Sequence, residues 1–358
     1  MRATIRDVAR RAGVAVSTAS LALNGKANVS EATRLKVLRA AEELDYHPHS
    51  IARNLANGQT RNLSLINPIP IDALFVGGFF SQLVKGMYKA AAEAGYNLSL
   101  HIADDEGEAT EQISSIVKAR SADGLLITHP TVDAPYLDEL EARDFPFVVI
   151  GRPPREGVSY VDNDNVKVGY MAVKHLINLG HERIAFITGS PRFTFCIDRL
   201  EGYKLALKEA GIDYDPGLVW ESEPTEEGAY QVVSEALAGE EKEKEQFTAM
   251  FTTSDLQGVG AIRALRERGR RVPEDVAIVC VDNTELAQHF MPSLTTIDLH
   301  EYWLGYWATK QLIQRIEGKD DTDRNQRRLI PAELIVRESC GYKSKSKGEV
   351  IKGVEEQI

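Results

Sequence analysis

The chain has little cysteine and no long apolar segment. Its 358 residues include three cysteines, Cys196, Cys280 and Cys340, and their wide spacing indicates neither a disulfide framework nor a Cys-x-x-Cys metal site. No apolar run approaches the ~20 residues needed to span a bilayer. The start, MRATIRDVARR, lacks the apolar core of a signal peptide. These absences favour a cytoplasmic protein with no metal and no membrane partner.

Motifs of nucleotide-binding and hydrolytic enzymes are also missing. The sequence contains no P-loop and no G-x-S-x-G motif. The stretch GVGAIRAL resembles a dinucleotide fingerprint, but Arg263 stands where a small residue is required. His175 and His181 are six residues apart, a spacing that does not fit a metal pair on one helix. We therefore expect no cofactor, no catalytic residues and no enzyme activity.

Positive charge is scarce overall and is concentrated at the start of the chain. The net charge is −11. Residues 1–61 nevertheless hold ten Lys/Arg against five Asp/Glu, a net charge of +5, which leaves −16 for the remainder. A basic head on an acidic body indicates an anionic partner for the head, with chance fluctuation as the alternative. The length indicates two or three domains.

The sequence of the head, residues 1–61, predicts three helices. Thr4 is a suitable N-cap for a helix that starts at Ile5 and ends at Gly13, in the left-handed conformation. A second helix over roughly 16–23 lies within GVAVSTASLALNG, and Ser30 caps a third. Helical periodicity predicts inward-facing residues in the second and third helices. These residues are Val16, Ala19 and Leu23 in the second helix, and Leu35, Leu38, Ala41 and Leu44 in the third.

Two short helices joined by a glycine-containing turn are typical of a helix-turn-helix. The second helix of that motif enters the major groove of DNA, so its outward side chains must be short enough to approach base edges. The outward residues here are Ser17, Thr18, Ser20 and Leu21. The small size and lack of charge of these side chains fit contact with base edges. A structural three-helix bundle that binds no DNA is the alternative.

The segment YHPHSIARNLANGQTRN follows the third helix. Pro48 ends that helix, and residues 50–57 are long enough for two helical turns, which would order only against a partner. Leu55 is flanked by Arg53 and Asn54. An apolar side chain beside a basic one is suited to open a minor-groove base step. An ordinary linker is the alternative, and periodicity alone favours it.

The rest of the chain alternates short apolar strands with helices. The strands include NLSLINP, NLSLHIAD, GLLITHP, PFVVIG, RIAFITG, AMFTTSD and VAIVCVD. This repeat predicts parallel sheets covered by helices on both faces, and the length accommodates two such sheets. Ligands bind at the carboxyl ends of such strands. The loops expected there are 67–68, 128–130, 151–154, 188–195, 254–255 and 282–283.

Two segments of the head, TIRDVARRAGVAVSTASLALNG and VSEATRLKVLRAAEELDYHPHSIARNL, closely resemble the headpiece and hinge of the lactose-repressor (LacI/GalR-type) family of bacterial transcription regulators. NLGHERIAFITG, DRLEGYKLAL and RVPEDVAIVCVDNTELA stand in the family's order, and the body is similar to periplasmic sugar-binding proteins. The resemblance implies an all-α helix-turn-helix headpiece (1–48), a hinge helix (49–61) and a two-lobed α/β body with parallel sheets (62–340). Crossovers are expected near 159–165, 293–298 and 327–332, followed by a disordered tail (341–358).

The resemblance also implies DNA contacts. Ser17, Thr18 and Leu21 occupy the positions that read the operator, and Leu55 is the hinge wedge. Many relatives carry a polar or basic residue at the position of Leu21, so the operator is expected to depart from the common family pattern. The full set of expected DNA contacts is Thr4, Val16, Ser17, Thr18, Ser20, Leu21, Asn24, Ser30, Arg53, Asn54 and Leu55.

An effector is expected in the cleft between the lobes. The resemblance assigns its binding to Phe79, Phe80, Arg199 and Asp282, and Ser254 follows a strand at the cleft. Asp162, Asn163 and Phe195 are further candidates. From the residues alone, an ion pair with Asp198 or Glu201 is the favoured explanation of Arg199, and core packing is the favoured explanation of the two phenylalanines.

These observations together predict a repressor of carbohydrate-utilisation genes. A homodimer is expected to bind double-stranded operator DNA at a palindromic site, under control of a mono- or oligosaccharide effector. The tail shows no apolar heptads, so a tetramerising coil is not expected. A sugar-binding transport protein is one alternative, but it requires a signal peptide and no basic head. A sugar-modifying enzyme is another, but it requires a catalytic constellation.

Overall fold

The computed structural model describes residues 3–23, 29–46, 59–69, 77–238, 247–318 and 326–342. It divides the chain into two units, residues 1–61 and 62–358. Several predictions lie outside the described residues. They concern Asn24, Arg53, Asn54, Leu55, the short helix expected over 50–57, and the tail beyond Tyr342.

Three helices form the first unit: α1 (Ile5–Ala12), α2 (Val16–Leu23) and α3 (Glu31–Glu43). Gly13 adopts the left-handed conformation with φ of 66° and ends α1, as predicted. The Ser30 hydroxyl accepts a hydrogen bond from the Thr33 N–H at 3.3 Å and caps α3. The core consists of Val8, Ala9, Ala19, Ala22, Val37, Ala40 and Ala41.

The predicted inward faces of α2 and α3 were partly wrong. Val16 is 44% exposed and Ala22 is buried in its place, while Leu35 and Leu38 are 51% and 45% exposed. Val37 and Ala40 of α3 occupy the core instead. Both sets of α3 residues fit a helical period. The small side chains of α1 and α2 bring the three helices close together, which leaves room only for short residues of α3.

The second unit contains two six-stranded sheets. The first has the order β11-β5-β4-β3-β1-β2 and the second the order β12-β10-β9-β8-β6-β7. All pairings are parallel except β10 with β12. The first sheet comprises β1 (Asn62–Asn67), β2 (Asn97–Ile102), β3 (Gly124–Thr128), β4 (Phe147–Ile150), β5 (Tyr160–Asp162) and β11 (Arg327–Leu329). The second comprises β6 (Ile184–Thr188), β7 (Val219–Glu221), β8 (Ala249–Thr252), β9 (Ala277–Val281), β10 (Thr295–Asp298) and β12 (Glu333–Ile335).

Helices cover both faces of each sheet, because the central strands are apolar on both sides. One face of the first sheet packs against α4 (Phe79–Glu93) and α12 (Glu301–Ile316), and the other against α5 (Glu106–Ala119) and α6 (Tyr136–Ala142). In the second sheet, α7 (Asn165–Asn178) and α8 (Thr194–Glu209) lie on one face. On the other lie α9 (Glu226–Ala236) and α10 (Asp255–Glu267), with α11 (Glu285–His289) at the edge. Cys280 is fully buried in this last core, as expected.

The chain passes between the two sheets three times. It leaves the first sheet after β5, at residues 163–164, and returns after β10, at residues 299–300. The third passage lies between β11 and β12, at residues 330–332. The first and third passages fall inside the ranges expected for crossovers, and the second begins one residue beyond its range. All three lie on the side of the lobes away from β2 and β7.

Candidate nucleic-acid interface and ligand cleft

Helix α2 presents a small, uncharged surface. Ser17 is exposed, Leu21 is 38% exposed, and Thr18 and Ser20 are half-buried. Val16, misassigned to the core, joins this surface. Ala19 and Ala22 lie on the opposite side of α2, against the headpiece core. One face of α2 thus packs against the core, and the other carries hydroxyl and methyl groups suited to contacts with base edges.

Thr4 and Ser30 are helix caps in the structure. The Asp7 carboxylate accepts hydrogen bonds from the Thr4 N–H at 3.0 Å and from its hydroxyl at 2.7 Å. These bonds lower the pKa of Asp7. Caps fix where α1 and α3 begin, so the two residues position the helices on either side of α2.

A cleft of about 760 Å³ lies between the two lobes of the body, at the carboxyl ends of both sheets. This is where a ligand of an open α/β sheet binds. All eight predicted effector residues line it, although their sequence positions span more than 200 residues. They are Phe79, Phe80, Asp162, Asn163, Phe195, Arg199, Ser254 and Asp282.

Arg199 is held rigidly in the wall of the cleft. Its Nε donates to Asn165 Oδ1 at 3.0 Å and its Nη1 to the Thr253 carbonyl at 2.9 Å. Among the described residues, Nη2 has no hydrogen-bond partner. Close crossing of α7 and α8 sets this position, since a Cβ at Gly169 would overlap the Arg199 carbonyl oxygen. The guanidinium is therefore aligned before any ligand arrives.

The two carboxylates considered as ion-pair partners of Arg199 pair with other residues. Asp198 accepts two hydrogen bonds of 2.7 Å from Arg152, and Glu201 pairs with Lys204 at 3.0 Å. Neither carboxylate is the salt-bridge partner of Arg199. The alternative explanation of Arg199 as one half of an ion pair on its own helix is therefore wrong.

Two carboxyl groups face Arg199: Asp162 is buried and Asp282 is half-buried. Burial raises the pKa of Asp162 to about 7, against hydrogen bonds from the Asn163 N–H at 2.8 Å and the Asn165 amide at 3.1 Å. Burial, reinforced by Asp255, also raises the pKa of Asp282, while Arg199 opposes the shift. Asp282 has φ of 112°, an unusual conformation for a residue with a side chain. A protonated carboxyl group both donates and accepts hydrogen bonds, so these two groups are suited to bind ligand hydroxyls.

Aromatic rings form another wall of the cleft. His129 lies 6.2 Å from Phe79, 6.3 Å from Phe193 and 6.1 Å from Phe195, measured between ring centroids. Arg199 lies 5.1 Å from the centre of the Phe195 ring. Phe80 also borders the cleft, but it is 1% exposed and belongs to the core beneath, so core packing explains it. Apolar rings of this kind stack on the C–H faces of sugars.

Asn163 and Ser254 have structural partners. Asn163 Nδ2 donates to the carbonyl oxygens of Leu299 at 3.0 Å and Ile330 at 2.8 Å, so it ties the first passage to the second and third. Ser254 caps α10 by accepting a hydrogen bond from the Gln257 N–H at 3.2 Å. Both side chains hold the cleft in shape whether or not they touch a ligand.

The sequence predicts the loops that border the cleft, but several residues in these loops were not among the predicted site residues. Asn67 Oδ1 accepts a hydrogen bond from the Thr128 hydroxyl at 2.5 Å and lies 2.9 Å from His129 Nδ1. Burial lowers the pKa of His129 to about 4, so this imidazole is neutral. The signal was their position at the carboxyl ends of β1 and β3. Four more charged residues line the cleft and were not singled out: Asp104, Arg192, Glu221 and Glu223.

Comparisons with known proteins agree with this architecture. Residues 4–49 match the family model described as bacterial regulatory proteins, lacI family, and residues 173–340 match a periplasmic binding protein-like domain. The HTH-type transcriptional regulator CelR of Thermobifida fusca is 36% identical over 341 residues, which cover 94% of this chain and 98% of CelR. The chain belongs to the lacI family. The PurR repressor of Photobacterium profundum is 32% identical, with 94% of this chain and 98% of PurR covered.

Solved structures of lacI-family members have the same fold. A CelR–cellobiose complex matches with a TM-score of 0.73 at 35% identity, covering 94% of this chain and 100% of that one. The lac repressor dimer bound to operator and the anti-inducer ONPF matches with a TM-score of 0.82 at 26% identity, covering 95% and 99%. This lacI-family chain is a DNA-binding transcription regulator with a small-molecule effector, not an enzyme. In the part of the chain that the structure describes, no helix is long and apolar enough to cross a membrane.

Proposed function

We propose that this protein is a cytoplasmic, nucleoid-associated repressor of carbohydrate-utilisation genes. It binds a palindromic operator as a homodimer through α2 and a hinge segment that includes Leu55, and a mono- or oligosaccharide in the cleft controls its affinity. The observation that carries the effector assignment is the guanidinium of Arg199, fixed in a buried frame beside aromatic rings. The complex of the similar protein CelR with cellobiose supports a sugar.

The cleft offers each part of a sugar a matching surface. Nη2 of Arg199 donates to adjacent hydroxyls, and Asp162 and Asp282 exchange hydrogen bonds with others. The Phe79 and Phe195 rings cover the apolar C–H face. His129 Nδ1 faces the Asn67 amide oxygen, which favours the tautomer that carries the proton on Nδ1 and leaves Nε2 as an acceptor. Neutral hydroxylated ligands satisfy all these groups.

Control follows from a shift between two arrangements of the lobes. Effector binding in the cleft favours one arrangement, and the dimer binds the operator tightly in only one of the two arrangements. A coupling free energy of about 1–3 kcal/mol between effector and operator is sufficient for a useful switch.

Fluorescence anisotropy tests the proposal. The full-length protein is titrated into labelled palindromic and random duplexes at one fixed salt concentration, because phosphate contacts make the affinity depend steeply on salt. The titration is repeated with a panel of mono- and oligosaccharides. We expect one duplex to bind far more tightly than random DNA and one sugar to change that affinity; the direction of the change separates inducer from corepressor.

Variants locate the effector. Arg199→Met is expected to abolish the response to the sugar while operator binding without sugar persists. Lys204→Met, a partly exposed position on the same helix, is the matched control and keeps the full response. If no duplex is preferred over random DNA while a sugar still binds, the protein is a sugar-binding protein without DNA readout. A full response in Arg199→Met would show that the effector binds elsewhere.

A further inference from the structure

The strand order gives the cleft an inner and an outer part. All three passages between the lobes lie beside β5, β10, β11 and β12, so this side of the cleft is closed by the chain itself. Asp162 and Asp282 belong to this inner part. At the opposite edge of the two sheets lie β2 and β7, and the residues that follow them form the outer part.

Carboxylates dominate the outer part. Asp104 follows β2 in the first lobe, and Glu221 and Glu223 lie at and after the end of β7 in the second lobe. All three are exposed, and none has an ion-pair partner among the described residues. Exposed acidic residues are ordinarily scattered over a surface. Here three of them, contributed by both lobes, line one side of a single cavity of about 760 Å³.

Positive charge in the cleft does not balance these carboxylates. Arg199 belongs to the inner part of the cleft, where burial lowers the pKa of its guanidinium and the nearby Asp282 and Asp162 oppose this shift. His129 is neutral, because burial lowers its pKa to about 4. Arg192 is the one other cationic side chain among the described lining residues, and its guanidinium lies 4.8 Å from the centre of the Phe193 ring.

We propose that the outer part of the cleft is a second sugar subsite that selects by charge. It accepts the distal unit of an oligosaccharide when that unit is uncharged, binds it more tightly when it carries an amino group, and rejects uronates and sugar phosphates. Glu221 and Glu223 are the specificity-determining residues, with Asp104 opposite them in the other lobe. This inference rests on the proposed sugar effector and extends it to the charge and length of that effector.

The reason is electrostatic complementarity. An ammonium group placed between these carboxylates gains attraction from both lobes, whereas a carboxylate or phosphate meets like charge in a partly desolvated cavity. A neutral hydroxyl donates a hydrogen bond to a carboxylate without repulsion between like charges. Gln231 and Ser222 lie in the same part of the lining; the Gln231 amide donates to Glu227 at 3.4 Å and the Ser222 hydroxyl to the Glu223 carbonyl at 2.8 Å, and the oxygen of each side chain can accept a further hydrogen bond.

Isothermal titration calorimetry with three β-1,4-linked disaccharides of equal size tests the subsite. The probes are the dimer of glucose, the dimer of glucosamine, and glucuronic acid linked to glucose. We expect the glucosamine dimer to bind more tightly than the glucose dimer, and the acidic disaccharide to bind at least about tenfold more weakly than the glucose dimer. Equal affinity for the glucosamine and glucose dimers would contradict the preference for an amino group. Raising the salt concentration is expected to narrow these differences.

The variant Glu221→Gln/Glu223→Gln is expected to reduce the discrimination between the acidic disaccharide and the glucose dimer to about threefold or less. Glu182→Gln/Glu235→Gln removes two exposed carboxylates outside the cleft and is expected to keep the full discrimination. Equal binding of the acidic and neutral disaccharides overturns the charge selection and leaves the sugar effector standing. If none of the three disaccharides binds, both the charge-selective subsite and the sugar effector are overturned for β-1,4-linked sugars. Operator binding by the same protein then shows whether the regulator itself is intact.

Discussion

Arg152 and Asp198 join the two lobes with a bidentate ion pair. Arg152, just after β4 in the first lobe, donates from Nε and Nη2 to both carboxylate oxygens of Asp198 on α8, each at 2.7 Å. The Thr194 hydroxyl donates to the Arg152 carbonyl at 2.7 Å and strengthens the same connection. Asp198 directly precedes Arg199, so the contact between lobes is one residue away from the proposed effector anchor.

Breaking this ion pair is expected to weaken effector binding. In Arg152→Met and Asp198→Asn the lobes lose a contact that holds the cleft in its present arrangement, and we expect the affinity for the effector to fall by about three- to tenfold. Because the Arg152 side chain is 42% exposed, a double-mutant cycle is expected to yield a coupling of only about 1 kcal/mol.

Calorimetric titration of the two single variants and the double variant measures this coupling. Arg155→Met is the matched control, because Arg155 pairs with Asp138 and Glu141 within the first lobe. Additive effects of Arg152→Met and Asp198→Asn would mean that the ion pair does not contribute to the present arrangement of the lobes.

Asp162 is expected to make stability depend on pH. Its pKa is about 7 in the folded protein, above the value of ~3.9 for an unfolded chain. The stabilisation from the protonated form is therefore complete below about pH 4 and is lost as the pH rises through 7. In Asp162→Asn, the fall in the free energy of unfolding between pH 5 and pH 8 is expected to be smaller by up to about 3 kcal/mol.

Urea denaturation at several pH values measures this difference. Glu156→Gln, which changes an exposed carboxyl group in a loop of the first lobe, is the control and is expected to retain the pH dependence of the unchanged protein. An Asp162→Asn variant with the same slope as the unchanged protein would show that this carboxyl group is already ionised at pH 5.

Asn163 is expected to be essential for the stability of the two-lobed body. Asn163→Ala removes both hydrogen bonds to the second and third passages and leaves the carbonyl oxygens of Leu299 and Ile330 buried without that partner. The expected loss is about 2–4 kcal/mol in the free energy of unfolding. Thermal and urea denaturation measure it, with Asn178→Ala on the exposed end of α7 as the control. A loss below about 0.5 kcal/mol would mean that water replaces the amide.

Leu21 is expected to influence operator choice and not stability. Leu21→Ala removes an exposed side chain, so the melting temperature is expected to stay within about 1–2 °C, since surface changes rarely exceed ~0.5 kcal/mol. Affinity for the preferred operator is expected to fall by about 1–2 kcal/mol at a thymine-containing position. Leu35→Ala, equally apolar and exposed on α3, is the control. Equal effects of both variants on operator binding would argue against specific readout by Leu21.

Much of the local structure followed from the sequence. Gly13 ends α1, Ser30 begins α3, and the seven strands named from their apolar runs all form, because caps, glycine turns and runs of buried residues act over a few neighbouring positions. Several short strands were not predicted from the sequence. β5, β7, β11 and β12 have three residues each, too few for a period to be seen, and β7, β11 and β12 pair with strands that are distant in the chain.

The inward faces of α2 and α3 show the limit of periodicity. Leu35 and Leu38 fit the same helical period as Val37 and Ala40, and the preference for larger apolar residues favoured the leucines. Only the packed headpiece, where Ala9 and Ala19 bring the helices close together, decides which face fits.

The sequence by itself determined the class of protein and the loops that border the cleft, since both are carried by local motifs and by strands that end at one edge of a sheet. Only the tertiary structure decided what the side chains there do. In the structure Asp198 pairs with Arg152 and not with Arg199, and Asn163 donates hydrogen bonds to the passages between the lobes. Asp104, Glu221 and Glu223 line one side of the cleft. These relationships join residues from different lobes or distant strands, and burial and charge at such a site depend on neighbours that no local pattern specifies.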